Sequence, residues 1–402
     1  MKKKFLIFAS ILGILAILAG GVVFTIGMTG LGWDFKKIDR EEISEAKSFE
    51  SDQAVNSVTL KGDWNYTILR GEEFKVEYYE SDQCNYDIGV SGGAFRLIES
   101  RKSWISYIGI ANGFKRSGYT VTVTLTEDSA VTIRGSSATI IMKEQNFKSV
   151  SVRGSSAKLT MENAEVAGDI TFDGSDAWTE FENVKAAGNI TFGGSSLRAS
   201  LKGVTARDVK MTGSDARLTM TGTAENVITA NDITLKGSSI GATLTYVTAR
   251  DFKISGSDTR LTLAHVTARN VTAGSSSCKA TLQDSSVSER IHVGGSDARL
   301  TMNGSSAKEV SVKGSSLRVE TDSADIRAFS GTGSDLRVTL NLIGAVTDIK
   351  SATVSGSSAT LRIDEAKMSG GYHNAGYKTF SATGSSVSLR INMKGGESIF
   401  SE

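Results

Sequence analysis

Residues 190–220 read ITFGGSSLRASLKGVTARDVKMTGSDARLTM, and this stretch decides the fold. It contains Gly-Ser-Ser beginning at Gly194 and Gly-Ser-Asp beginning at Gly213. Apolar residues lie four and two positions before each of these glycines, and three, five and seven positions after it. Polar residues separate them, and alternation with a period of two is typical of a strand with one buried face. Each copy therefore predicts two strands joined by a Gly-Ser corner.

The same corner recurs along the chain. Its first residue is Gly at positions 135, 154, 174, 194, 213, 237, 256, 295, 314, 333, 356 and 384, and Ser275 takes the place of Gly in one further copy. Most spacings are 19 or 20 residues, too short for the common helical repeats. The pattern predicts an all-β chain folded as a single-stranded parallel β-solenoid, or β-helix. Thirteen coils about 4.8 Å apart would form a rod of roughly 60 Å, and parallel crossovers favour a right-handed coil.

The composition agrees with this prediction and excludes several other classes of protein. The chain has 402 residues, of which 45 are basic and 44 acidic, with 42 Gly, 2 Cys and no Pro. These values exclude a disordered chain, collagen and a disulfide-rich scaffold. The near-neutral charge argues against a nucleic-acid-binding protein. Proline is disfavoured in a parallel solenoid because most main-chain N–H groups donate to a neighbouring coil.

An uncharged segment of 24 residues, 5–28, follows three lysines at positions 2–4. A helix of that length would extend roughly 36 Å, enough to cross a bilayer. The segment predicts an uncleaved signal anchor, because the apolar core of a cleaved signal peptide is usually shorter; a cleaved signal peptide is the alternative. The lysines predict a cytoplasmic N-terminus, so the rest of a single-pass membrane protein would lie outside the cell.

We expect four regions along the chain. Residues 1–29 would form the Lys-rich N-terminus and transmembrane anchor, and residues 30–50 a polar stalk, linker or short helix. Residues 51–130 carry irregular strand patterns and would form a β-rich N-terminal cap with the first coils. Residues 131–402 would form the regular β-helix with its thirteen corners and a C-terminal cap.

Two columns of polar residues are expected beside the corners. The second corner residue is always Ser, and the third mostly alternates between Ser and Asp, which avoids stacking like charges in adjacent coils. We predict corner and ladder roles for Ser155, Ser175, Ser195, Ser214, Asp176, Asp215, Asp258, Asp297 and Asp335. Two positions further, a mainly basic column includes Arg198, Arg217, Arg260, Arg299, Arg318 and Arg337. These arginines could pair with the Asp column or bind an anionic polymer.

Two segments depart from the repeat and are candidates for surface interaction. Residues 101–118 bring Trp104, Tyr107 and Phe114 into a Gly-containing loop. Residues 368–378 do the same for Tyr372, His373 and Tyr377. Exposed aromatic loops that leave a repetitive rod are typical recognition sites, although cap hairpins would have the same composition.

No cofactor, metal or catalytic site is predicted. The nine-residue Gly- and Asp-rich frame of calcium-binding β-rolls is absent, and the three histidines are far apart. Carboxylates follow the repeat instead of clustering at one place, which argues against an enzyme. Cys278 falls on an inward column, so a buried free thiol is expected there, while Cys84 stands alone in its context.

Taken together, the Lys-rich N-terminus, the apolar span, the β-rich segment and the many V-x-V-x-G-S-S-x-x-L coils resemble the bacterial putative-adhesin β-strand-repeat family, also labelled DUF4097. The resemblance covers nearly the whole chain. It implies a right-handed β-helix outside the membrane, with roles in surface adhesion or envelope-stress systems and no catalytic motif. The strict alternation of Ser and Asp departs from the family pattern and leaves open an added binding face.

These observations predict a membrane-anchored, extracytoplasmic β-helix that acts as a non-catalytic binding, adhesion or structural module on a bacterial cell surface. Its partners would be the membrane, through residues 5–28, and a cell-wall polymer, host matrix or peptide ligand. The alternative is an accessory of an envelope-stress response that senses or sequesters a membrane-active ligand such as an antimicrobial peptide.

Overall fold

The computed structural model describes residues 20–22, 25, 43–102, 118–342, 351–365, 379–383 and 386–393. The strands are β1 (Lys47–Ser51), β2 (Ser57–Lys61), β3 (Asn65–Arg70), β4 (Phe74–Tyr78), β5 (Cys84–Ser91), β6 (Ala94–Arg101), β7 (Thr120–Leu125), β8 (Ser129–Lys143), β9 (Phe147–Val166), β10 (Ile170–Asp173), β11 (Asp176–Ala186), β12 (Ile190–Lys202), β13 (Thr205–Thr221), β14 (Ile228–Lys236), β15 (Ser239–Thr245), β16 (Val247–Ala264), β17 (Thr267–Gln283), β18 (Ser286–Asn303), β19 (Ser306–Thr332), β20 (Asp335–Leu342), β21 (Ser351–Ser355), β22 (Ser358–Glu365), β23 (Thr379–Thr383) and β24 (Ser386–Met393).

From β8 onward the strands form a parallel β-solenoid of about 11 turns, which confirms the predicted fold class. Successive corners lie in register: Gly135 pairs with Gly154, and Gly194 pairs with Gly213. At the far end, β23 pairs with β21 and β24 with β22, on either side of the thirteenth corner. Parallel pairing therefore joins the coils from residue 129 to residue 393, both through the strands before the corners and through the strands after them.

The core consists of apolar columns that extend through the rod. In the coil that contains Gly154, the side chains before the corner (Val150, Val152) and after it (Leu159, Met161) are at most 1% exposed. A third column lies on the segment that returns to the next coil, where Val184 and Val247 are fully buried. Each coil thus has three segments with inward-facing side chains. We call the faces they form the pre-corner face (the strand before the corner Gly), the post-corner face (the strand after it) and the return face (the segment that leads to the next coil).

A second corner separates the post-corner face from the return face. Its residue lies nine positions after the corner Gly and adopts a positive φ at Glu144, Asn163, Asn183, Gly203, Tyr246, His265, Asp284, Gly304 and Ser323. Asn, Asp, His and Gly tolerate the left-handed conformation best, so this column explains several polar residues that the repeat pattern left unassigned. The rings of Tyr246 and His265 stack here, with centroids 4.5 Å apart.

The corner glycines have a different role from the one that the sequence suggests. A positive φ is expected at a Gly-Ser bend, yet among the corner glycines that the structure describes only Gly194 lies in that range, at 151°. Their main chains stack so closely that a Cβ at Gly237 or Gly314 would overlap the carbonyl oxygen of the corner Gly in the preceding coil. Close approach between coils, and not a left-handed bend, therefore selects glycine at these positions.

Residues 47–125 form a less regular unit at the N-terminal end. Here β1 pairs antiparallel with β4, β4 antiparallel with β7, and β5 antiparallel with β6. Both β2 and β3 pair in parallel with β8, which joins this unit to the first regular coil. The strand patterns expected over residues 55–125 are present. Residues 47–50 belong to a strand, whereas the sequence predicts a polar stalk or a short helix there.

The predicted anchor, residues 5–28, lies largely outside the described residues, although Gly20, Gly21, Val22 and Thr25 are helical. Across the parts of the chain that the structure covers, no helix combines the length and hydropathy needed to span a membrane. The predicted anchor is therefore not supported and stays a prediction.

Both cysteines are free and buried, with Cys278 only 3% exposed. Burial raises the pKa of the Cys278 thiol, and side-chain hydrogen bonds with Thr259 and Ser275 offset only part of that effect. Because the thiolate is the reactive form, we expect Cys278 to resist a maleimide at neutral pH in the native protein and to react rapidly in urea. Mass-spectrometric peptide mapping would measure this, and fast native labelling of Cys278 would contradict its inward position.

Candidate binding face

The post-corner face is a parallel sheet built from the strand that follows each corner. Its outward residues lie in columns because the register is continuous: Arg198 pairs with Arg217, Arg260 with Lys279, and Arg299 with Arg318. Counted from the corner Gly, the Ser/Asp column is at position two, the basic column at four and a mainly Thr column at six. All three columns face solvent because the residues between them point into the core.

The Ser/Asp column is arranged as the sequence predicts. Asp176 pairs with Ser196, Ser196 with Asp215, and the alternation continues to Asp335. These aspartates are exposed, and a Ser separates each from the next. Alternation therefore doubles the distance between like charges along the rod, to roughly 10 Å at a coil spacing of about 4.8 Å.

The basic column is arranged as predicted, but its electrostatic partners are not. Over the described residues no Asp of the Ser/Asp column lies within ion-pair distance of an Arg or Lys of the basic column. Over the described residues its acid partners are two glutamates at position six: Glu180, which lies in the coil after that of Lys158, and Glu320, which lies on the same strand as Arg318. Lys158 Nζ lies 2.9 Å from Glu180 Oε2, and Arg318 contacts Glu320. Within the part of the chain that the structure covers, the members that form no ion pair are Arg198, Arg217, Arg260, Lys279, Arg299 and Arg337.

The corner serines are exposed, and main-chain bonds hold the corners. The N–H of Ser196 donates to the carbonyl of Ser175 at 2.7 Å. Among the described residues, the hydroxyls of Ser155, Ser175, Ser195 and Ser214 form no hydrogen bond, so their ladder role stays a prediction. A buried hydroxyl column does exist on the return face, where main-chain N–H groups donate to the hydroxyls of Ser285 and Ser305, each at 3.1 Å.

A groove of about 400 Å3 opens on the post-corner face near its N-terminal end. Trp178, on β11, lines it and is 47% exposed. Its in-register neighbours are Lys158 on β9 and Arg198 on β12. The Lys158 Nζ lies 4.6 Å from the indole centroid, a cation–π distance. The groove is therefore a local departure from the repeat, with an aromatic surface between two cations.

The sequence interpretation missed Trp178. The basic column reads Lys158, Trp178, Arg198, Arg217, so a single aromatic interrupts it at the same register position. That substitution within a periodic column is the signal that could have identified the site. An exposed Trp is informative because aromatic residues of this size are usually buried or form interaction sites.

Charged residues on the return face behave differently, since most have partners. Arg250 donates to Asp232 at 2.7 Å, and Arg290 to Glu309 at 2.8 Å. Lys308 pairs with Glu289 at 3.4 Å. In the described segments no cluster of three or more His, Cys, Asp or Glu residues could hold a metal ion. Among the described residues, six cations without an ion pair therefore stand in one column on the post-corner face.

The two predicted aromatic loops lie outside the described residues. Trp104, Tyr107 and Phe114 fall within residues 103–117, and Tyr372, His373 and Tyr377 within residues 366–378. The structure therefore brings together only the basic and Ser/Asp columns among the predicted site residues, and it adds Trp178 to them.

Comparison with known proteins finds no family model that matches this chain and no match among curated proteins. Solved structures that are similar include the following two. One is a putative adhesin from Bacteroides fragilis NCTC 9343, which is 12% identical and has a TM-score of 0.26. The match covers 72% of this chain and 97% of the adhesin chain. The other is a putative cell adhesion protein from Clostridium sporogenes ATCC 15579, which is 10% identical and has a TM-score of 0.18. The match covers 72% of this chain and 99% of the cell adhesion protein. Similarity at this level carries no argument about the family, the function or the ligand of this chain.

Proposed function

We propose that this chain is a non-catalytic binding module of the cell surface, anchored through residues 5–28, whose basic column holds an extended anionic polymer. A cell-wall polymer and an acidic host-matrix polysaccharide are the partners with suitable chemistry. The observation that carries the proposal is the row of cations, Arg198 to Arg337, of which all but Arg318 form no ion pair in the described part of the chain.

The geometry of the row favours a linear ligand. Adjacent coils place the basic side chains about 4.8 Å apart on one face, so a polymer that lies along the rod meets a cation in almost every coil. Gly241 is the single gap in the column between Arg198 and Arg337. The aspartates beside the column occur only in alternate coils, so basic residues outnumber them along its length.

The same charge pattern disfavours a cationic ligand. From the coil of Arg198 to the coil of Arg337, the three outward columns carry seven basic residues and five acidic residues. The aspartate column is interrupted by Ser, and acids such as Asp232 on the return face already have basic partners. A cationic antimicrobial peptide would thus meet a weaker attraction than a polyanion on the post-corner face.

Binding of the full-length protein to four probes tests this proposal. We expect polyphosphate and poly-L-glutamate to bind, with an affinity that falls steeply as salt rises, because exposed charges are screened within about 10 Å at 0.1 M salt. Poly-L-lysine and uncharged dextran should bind at least about tenfold more weakly, a difference of roughly 1.4 kcal/mol. Preference for poly-L-lysine, or no binding of either polyanion at low salt, would overturn the proposal.

A further inference from the structure

The groove at Trp178 is a local departure from the repeat of the post-corner face. Three consecutive coils contribute Ala138, Ala157 and Ala177 to its lining, and Trp178 lies beside them on β11. From Leu197 onward this inward position mostly alternates between larger and smaller side chains, and a basic side chain takes the place of the indole in most coils. The groove is therefore a distinct structure on an otherwise periodic surface.

The indole is held in place before any ligand arrives. The Lys158 Nζ lies 4.6 Å from the centroid of the Trp178 ring and 2.9 Å from the carboxylate of Glu180. These contacts restrict the Trp178 side chain, so less conformational entropy is lost when a ligand stacks on it. A restrained, half-exposed indole provides the flat apolar surface on which the C–H face of a sugar ring packs.

The polar groups around the indole suit a ligand with both hydroxyl and acidic groups. Asp176 supplies carboxylate oxygens that can accept hydrogen bonds from hydroxyls, and Asn65 supplies an amide. Arg198 supplies a guanidinium that matches a carboxylate in a bidentate geometry. In the described structure neither Asp176 nor Arg198 has an ion-pair partner, so both can act on a ligand.

We propose that the groove binds a sugar ring of an acidic polysaccharide, with the ring on Trp178, a ring carboxylate on Arg198 and hydroxyls on Asp176 and Asn65. The rest of the polymer then follows the basic column along the rod. This inference rests on the proposed function and narrows the ligand from any polyanion to a uronate-containing glycan. Polyphosphate has no ring to stack on Trp178, so its binding tests the basic column alone and separates the proposed function from the sugar site.

The experiment compares polygalacturonate and polyphosphate of matched charge on the full-length protein and three variants. Trp178→Ala should weaken polygalacturonate binding about tenfold and change polyphosphate binding less than about twofold. Trp178→Phe keeps an aromatic face and should retain most of the polygalacturonate affinity. Trp178→Arg makes the basic column continuous and should abolish the preference for polygalacturonate while binding polyphosphate at least as well.

Circular dichroism of each variant checks that the rod is intact, as expected for a side chain that is 47% exposed. Equal loss of both polymers in Trp178→Ala, or no loss of either, would overturn the sugar site and leave the proposed function standing. If the native protein bound neither polymer, the proposed function would fail as well. A shift in tryptophan emission on adding galacturonate oligomers, absent in Trp178→Phe, would place the sugar at this residue.

Discussion

Replacing Gly237 by alanine is expected to destabilise the rod by about 3 kcal/mol. The added Cβ would overlap the carbonyl oxygen of Gly213 in the preceding coil, and that atom is main chain, so it cannot rotate away. The two coils would have to separate at the corner, which strains the main-chain pairing of β13 with β14 and β15 on either side of it. Urea unfolding followed by circular dichroism measures the loss.

Gly274→Ala is the matched control. Gly274 lies on β17, one position before a corner, and a Cβ there would meet no atom within 4 Å. Its stability should be unchanged or slightly increased, because alanine restricts the unfolded chain more than glycine does. Equal destabilisation by the two substitutions would mean that close stacking of the corners does not select glycine.

Replacing Phe252 by alanine is expected to cost about 3–5 kcal/mol, since it deletes a large side chain from a closely packed column. Phe252 is 1% exposed on the pre-corner face, and it lies in register between Ile233 and Val271 of the adjacent coils. In a solenoid each coil contacts only its neighbours, so the cavity weakens both interfaces of one coil.

Phe252→Leu provides the comparison, because it stays apolar and removes less volume, and it should cost less than about 1.5 kcal/mol. Differential scanning calorimetry of the three proteins would rank them. If the alanine and leucine variants melted at the native temperature, Phe252 would not be part of a packed column, and the assignment of the inward residues would be wrong.

The repeat pattern was sufficient to predict the solenoid and the residues of its columns. Alternation around Gly194 and Gly213 places apolar side chains inward, and a constant spacing stacks equivalent positions, so Asp215 and Arg217 fall into columns without further information. The ion pairs that side chains form on the post-corner face were harder to predict from the sequence. The sequence leaves open whether Arg217 pairs with an Asp or binds a polymer, because ion-pair geometry depends on side-chain direction. The acids that pair on this face are Glu180 and Glu320.

The sequence did not reveal the left-handed corner, the site at Trp178 or the reason for the corner glycines. Trp178 is an exception within a column, and the other two features depend on main-chain conformation and packing. The left-handed corner tolerates Asn163, Tyr246 and His265 alike, so no single residue type marks it. Trp178 interrupts a basic column only once, and periodic patterns hide single exceptions. The reason for glycine at Gly237 is the approach of a neighbouring coil, which sequence spacing alone does not reveal.

The central claim is that the basic column, and not the overall charge, binds an anionic polymer. One measurement tests it directly: the affinity for polyphosphate of a variant in which the column residues Arg217, Arg260, Arg299 and Arg337 are replaced by glutamine. The control replaces four exposed arginines outside that column, Arg134, Arg153, Arg269 and Arg327, and so has the same net charge. We expect the column variant to bind at least about tenfold more weakly, with a reduced dependence on salt, and the control to stay within about twofold of the native protein. Equal loss of affinity in the two variants would contradict the claim.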